Sequence, residues 1–285
     1  MHDALPVPVP WGELSYRELS ERLAPDQRWS TWGSVERSSR GPRPWPDWLV
    51  TSAAALDTEL GTVKSGKEAD VVLVERAVPD EPGQSCLLAA KRYRDNDHRA
   101  FRRDAGYTEG RRVRNSRDTR AMARGTSFGH SVAAGLWARS EWTALVRLFE
   151  AGVPVPYPVQ LDGTEILMEF IAAGDSAAPR LQQLRPSAGR LAALYDQLVT
   201  ALRTLTGLGL VHGDLSPYNT LVAGADDPEP RLVIIDVPQL VDLVANPNAV
   251  EFLHRDCTNM AQWFSARGLP VDADELLADL LAHAW

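Results

Sequence analysis

Cysteine is scarce in this chain: 285 residues carry two, Cys86 and Cys257. That is too few for a disulfide framework or a cysteine-built metal cluster, and it fits a reducing cytoplasm. No run of about 18 apolar residues occurs, so no transmembrane helix and no membrane partner are expected. The opening stretch, MHDALPVPVPWGELSYRELSER, has neither the basic start nor the apolar centre of a signal peptide. Positive charge is in deficit, with 30 Lys and Arg against 38 Asp and Glu and a net charge of −8. A protein that coats nucleic acid with its whole surface is thereby excluded.

What is present suffices for a sizeable core in one unit or two lobes. Residues 1–50 form a Pro- and Trp-rich arm whose indoles, Trp29, Trp32, Trp45 and Trp48, are expected to pack onto the body. Two short apolar runs, Asp70–Arg76 and Cys86–Tyr93, flank the turn-forming stretch 79–84 and predict a hairpin. Residues 94–128 lack apolar periodicity and read as a loop; from Lys91 to Arg124, twelve Lys and Arg face five Asp and Glu. A helix is predicted from about Ser131 to Glu150, ended by Gly152 and Pro154. A second hairpin follows, Val159–Leu161 with Ile166–Phe170 around Asp162-Gly163, then a flexible connection over 174–179.

The second half is predicted to be mostly helical. Leu191, Leu194, Tyr195, Leu198, Leu202 and Leu205 recur at three- and four-residue steps, the mark of one buried helix face. Thr220–Val222 and Leu232–Ile235 read as strands, and Phe252–Phe264 and Glu275–His283 as helices.

The chemistry concentrates in His212-Gly213-Asp214-Leu215-Ser216-Pro217-Tyr218-Asn219 and in Asp236, which ends the apolar run Leu232–Ile235. Phosphoryl transfer needs a carboxylate that aligns a nucleophile and metal ions that hold the phosphates. An Asp and an Asn five residues apart meet that need, one facing the acceptor and the other a cation. Asp236 would be the second metal ligand, and these hard oxygen donors suit Mg²⁺ or Mn²⁺ rather than zinc. The pattern is shared by protein kinases and by small-molecule kinases of the aminoglycoside phosphotransferase type.

The departures separate the two. Val63-Lys64-Ser65-Gly66-Lys67-Glu68-Ala69-Asp70-Val71 stands where G-x-G-x-x-G is usual, and Asp236-Val237-Pro238-Gln239 where D-F-G is usual. With HGDLSPYN and Glu251-Phe252-Leu253-His254-Arg255-Asp256-Cys257, these strings resemble the RIO family of atypical serine kinases from about Trp48 to Phe264, its non-winged-helix branch most closely. Pro217 and Pro238 depart from residues common in that family, Glu and Ser.

The resemblance implies an α+β, two-lobed protein-kinase-like fold over 51–285, with a β-rich N-lobe at about 51–173 and a mostly helical C-lobe at about 180–285. It implies ATP and Mg²⁺ as cofactors, Asp214 and Asp236 as catalytic residues, and Asn219 with Asp236 on the metal. Lys91 would hold phosphates, Glu141 would pair with it, and Ser65 and Lys67 would face the phosphates. Met168, Glu169 and Ile171 would form the adenine-binding linker. The main expectation is a protein serine kinase, with Ser116, Thr119 and Ser127 as autophosphorylation candidates. The alternatives are an ATPase-type switch that carries phosphate on Asp236 within ribosomal or other ribonucleoprotein assembly, a small-molecule kinase with an acidic pocket at Asp272–Glu275 and Asp279, and an RNA-binding module using the basic loop.

Overall fold

The computed structural model describes residues 23–94, 127–174, 176–237 and 240–284. Most of the basic loop, with Ser116 and Thr119, lies outside them, as do Pro238 and Gln239.

The first lobe is built on an antiparallel sheet in the order β1-β2-β3-β4-β6-β5. Its strands are β1 (Gln27–Trp29), β2 (Leu56–Ser65), β3 (Ala69–Ala77), β4 (Ser85–Tyr93), β5 (Pro158–Asp162) and β6 (Glu165–Glu169). The two predicted hairpins are β3–β4 and β5–β6. Alternation in β3 buries Val72 and Val74 on one face and sets Val71 opposite Lys91 of β4. β2 was not legible beforehand, because Leu56-Asp-Thr-Glu-Leu-Gly-Thr-Val-Lys-Ser is exposed over its last six residues and carries no period-two pattern. It is a strand because β3 supplies its backbone partners, with register shifts between Glu59 and Gly61 and between Thr62 and Lys64.

The Trp-rich segment closes over this sheet. Trp32 is buried and meets Trp45 edge-on at 5.1 Å, while Trp32, Leu49 and Val50 join Val74, Leu88, Tyr157 and Leu167 in one apolar cluster. Gly41 makes the approach possible: its N–H donates to the Val159 carbonyl at 2.8 Å, and a Cβ there would stand 2.0 Å from the Pro158 oxygen. Trp48, by contrast, remains exposed.

Helix α1 (Ser127–Glu150) begins four residues before the predicted start and packs beside β4, β5 and β6. The connection beyond β6 is a small hairpin, β7 (Ala172–Ala173) with β8 (Ser176–Ala177), closed by Ala178 N–H on the Ile171 carbonyl at 2.8 Å. β8 falls within the stretch 174–179, where the small residues predicted a flexible connection.

The second lobe holds α2 (Ala188–Gly207), β9 (Leu210–Val211), β10 (Thr220–Ala223), β11 (Arg231–Ile234), β12 (Val241–Asp242), α3 (Ala249–Ser265) and α4 (Ala273–Ala282). Leu191, Leu194, Leu198, Leu202 and Leu205 of α2 are buried as their spacing requires. They share a core with Ala138, Trp142, Leu145 and Leu148 of α1, so that helix belongs to both lobes. β10 and β11 form the predicted hairpin, and the two-residue pair β9–β12 brackets the loop between them. The architecture is the expected two-lobed α+β fold.

Candidate active site

The loop from His212 to Asn219 connects β9 to β10 and is held from behind by α3. Asp256, fully buried, accepts the Gly213 N–H on Oδ2 and the Leu215 N–H on Oδ1, each at 2.8 Å. Arg255 donates to the Gly213 carbonyl, and Asn259 Nδ2 to the Leu215 carbonyl at 3.0 Å. Gly213 sits at φ 85°, a left-handed turn that a side chain would strain. Burial raises the Asp256 carboxyl to about 7, with the two N–H donors opposing that rise.

This clamp leaves Asp214 exposed and Asn219 buried beside it. Asn219 Nδ2 donates to the Asp214 carbonyl at 2.9 Å and lies 3.4 Å from its Oδ2. The amide nitrogen is thus engaged within the loop, and the amide oxygen is the group with the chemistry of a metal ligand. The Ile235 N–H donates to the Asn219 carbonyl at 2.9 Å and fastens the end of β11 to the loop.

Asp236 follows at φ 66°, a left-handed conformation that costs a non-glycine residue about 1–3 kcal/mol. Its carboxylate meets two lysines, Lys91 Nζ at 2.8 Å on Oδ1 and Lys64 Nζ at 3.5 Å on Oδ2. Lys91, on β4, also reaches Glu141 Oε1 of α1 at 2.7 Å, and Tyr93 donates its hydroxyl to Oε2 of the same carboxylate. Burial alone would lower the Lys91 ammonium, but Glu141 and Asp236 hold it above its ordinary range. Burial would likewise raise Asp236, yet Lys91 and then Lys64 keep it well below the usual carboxylate range.

The triad opens on a cleft of about 690 Å³ between the lobes. Lys67, Met168, Glu169 and Ile171 line it together with Lys91, Glu141 and Asp236. Glu169 uses its side chain elsewhere, accepting the Tyr157 N–H at 3.1 Å and pairing with Arg231 at 3.1 Å, so the linker offers backbone groups. Ser65 is turned away from the cleft. Its hydroxyl donates to Asp70 Oδ1 at 2.7 Å and accepts from Arg94 Nη2 at 2.8 Å.

Three contributors escaped the sequence reading: Lys64, Tyr93 and Asp256. Tyr93 was within reach, since two residues beyond Lys91 on a strand lie on the same face. Asp256 stood inside a quoted motif without an assigned role.

The acidic residues proposed for a small-molecule pocket are in another place. Asp272, Glu275 and Asp279 border a groove on the second lobe with Tyr195 and Arg203, and Asp279 is paired with Arg203 at 2.7 Å. Of the basic stretch that begins at Lys91, Lys91 and Arg92 lie on β4, and they and Arg94 are each in ion pairs, with Glu141 and Asp236, with Glu59 and Glu165, and with Asp70.

Comparison with known proteins points to one family. The family model described as RIO domain matches residues 88–276. The RIO-type serine/threonine-protein kinase Rio1 of Haloferax volcanii is 36% identical over 221 residues, 78% of this chain and 68% of that protein. The human serine/threonine-protein kinase RIO1 is 35% identical over 47% of this chain, which spans only 23% of the human protein's length. Among solved structures, the Rio2 kinase of Chaetomium thermophilum, in an ADP/Mg²⁺-phosphoaspartate complex, has the same fold, with a TM-score of 0.52 and 24% identity over 77% of this chain and 61% of that one. A match over most of the chain, reinforced by an archaeal relative covered over two thirds of its length, places this protein in the RIO domain family, that of the RIO-type serine/threonine-protein kinases.

Proposed function

We propose that this protein is an ATP- and Mg²⁺-dependent protein serine kinase whose catalytic residues are Asp214 and Asp236. The observation that carries the reading is the Lys91–Glu141–Asp236 ion triad, set beside the Asp214–Asn219 pair at one end of a nucleotide-sized cleft.

The donor set fits the cofactor. Among the described residues no group of three or more His, Cys, Asp or Glu is placed to hold a metal ion alone. Asp236 and Asn219 offer two hard oxygen sites, which suits Mg²⁺, a cation that keeps waters and phosphate oxygens in its coordination sphere. When bound, Mg²⁺·ATP supplies the phosphoryl group and neutralises its charge. Lys91, fixed by Glu141, orients the inner phosphates, and Lys67 lies along the same wall. Met168 and Ile171 cover the base, which the Glu169 and Ile171 backbone recognises. Asp214 aligns a serine hydroxyl and accepts its proton.

Labelled ATP with Mg²⁺ and purified protein should give phosphoserine. Asp214→Ala should lower turnover by about 10²–10⁴-fold, the usual worth of a general base, with nucleotide affinity nearly unchanged. No transfer by the wild type with Mg²⁺ or Mn²⁺ would overturn the reading.

A second reading is favoured by Asp236 itself, whose side chain is 31% exposed with an ammonium group at each oxygen. In an ATPase-type switch it would accept the phosphoryl group, and ribosomal or other ribonucleoprotein assembly is the matching partner class. A hydroxylamine-labile phosphoprotein lost in Asp236→Asn supports this; phosphoserine alone removes it. No described helix is long and apolar enough to cross a membrane, and Cys86 and Cys257 are buried free thiols, in keeping with a cytoplasmic site of action.

A further inference from the structure

Lys64 stands at the end of β2, outside the residues to which the sequence motifs assign chemistry. The register shift between Thr62 and Lys64 removes strict alternation at this point. Consecutive residues Val63 and Lys64 therefore both line the cleft, where a regular strand would send one of them to the opposite face. The ammonium reaches Asp236 Oδ2 across the cleft, from one lobe to the other.

The two lysines on Asp236 are not equivalent. The Lys91 side chain is 11% exposed and shared with the buried Glu141, so its position is set whether or not a ligand is present. The Lys64 side chain is 45% exposed, and its ion pair among the described residues is with Asp236, at the longer distance of 3.5 Å. Asp236 would hold Mg²⁺ through the carboxylate lone pairs that the Lys64 ammonium now meets. Lys64, on a flexible four-carbon stem, would then be free to meet an anion at the same place. Of the groups on ATP·Mg²⁺, the terminal phosphate would carry the larger charge and so suit that ammonium.

We propose that Lys64 is a phosphate-binding residue of this cleft, which exchanges Asp236 for the terminal phosphate of ATP·Mg²⁺ and so distinguishes triphosphate from diphosphate. The inference rests on the ATP·Mg²⁺ reading above. Lys91 serves the inner phosphates in both nucleotides, whereas Lys64 finds its partner only in the triphosphate.

Calorimetric titration with Mg²⁺ and either ADP or a non-hydrolysable ATP analogue tests this on wild type, Lys64→Met and Lys64→Arg. Loss of one charge-assisted contact should weaken the analogue by about ten-fold in Lys64→Met, while ADP binds no more weakly than to wild type. Lys64→Arg should recover most of the loss, and the ligand-free melting temperature of Lys64→Met should stay near that of wild type because the side chain is exposed. Equal weakening of both nucleotides, or of neither, overturns the assignment of Lys64 while leaving the nucleotide site standing. Failure of the wild type to bind either nucleotide removes the site and Lys64's role together.

Discussion

His212 is fully buried beside two aspartates, and burial still outweighs them in favouring its neutral form. Its Nδ1 accepts the Asp214 N–H at 3.3 Å and its Nε2 faces the Ile235 carbonyl at 3.3 Å, a pattern that the Nε2–H tautomer satisfies. Burial holds its pKa below the ordinary imidazole value, against the Ile235 carbonyl and the Asp236 and Asp214 charges. A folded pKa below the unfolded one, about 6.5, means that its stability contribution is full above that pH. The contribution is lost as pH falls through the folded value. Thermal melts between pH 7 and pH 5 should therefore fall more steeply for wild type than for His212→Gln; parallel slopes would remove His212 from the linkage. The letter His in H-G-D announced the loop, but its charge state depends on burial by distant residues.

At the scale of elements, one buried network ties the first lobe together. Arg76 of β3, fully buried, donates Nε to Asp57 Oδ1 at 2.7 Å and Nη2 to Asp57 Oδ2 at 2.9 Å and to Gln160 Oε1 at 3.1 Å. Gln160 of β5 passes the connection to Thr31 at 2.7 Å, so β2, β3, β5 and the Trp-rich segment share one set of hydrogen bonds. Arg76→Met would leave Asp57 buried and short of its partner, a change that costs about 3–5 kcal/mol. Arg28 Nε, 3.9 Å from Asp57, offers partial compensation and sets the expectation at the lower end, about 3 kcal/mol. Urea unfolding measures it, and Arg76→Met with Asp57→Leu should regain most of the loss. A cost within the usual ±0.5 kcal/mol of a surface substitution would contradict the network's role. The hairpins were readable from apolar runs. β1 and β2 were not, because a polar strand is stabilised by its neighbours' backbone rather than by its own pattern.

For the whole molecule, the question is how residues before 51 relate to the two lobes. Trp32, Leu49 and Val50 are buried in the first lobe's outer cluster, and β1 pairs with β2. Burying a large apolar side chain is worth about 1.5–3 kcal/mol, so a chain shortened to begin at residue 51 should lose several such contributions. Its melting temperature should drop by about 10 °C or more on the usual conversion for a domain of this size. An unchanged melt would make the segment an ornament on a self-sufficient pair of lobes. Tyr157 ties the segment to α1: it packs edge-on to Phe149 at 5.0 Å and donates to the Pro42 carbonyl at 2.8 Å.

The sequence by itself singled out the His212–Asn219 loop, the apolar faces that set α2, β3 and β4, and Lys91, Glu141 and Asp236 as candidates. The loop, Asp236 and the apolar faces are carried by short-range spacing, which a folding chain expresses locally, whereas Lys91 and Glu141 were reached through the resemblance to the RIO family. The tertiary structure alone decided that Ser65 turns its hydroxyl to Asp70 and Arg94, that Asp256 holds the loop from α3, and that Lys64 meets Asp236. These depend on a register shift and on partners distant in the chain, up to 172 residues for Lys64 and Asp236, where no local pattern constrains which groups come into reach.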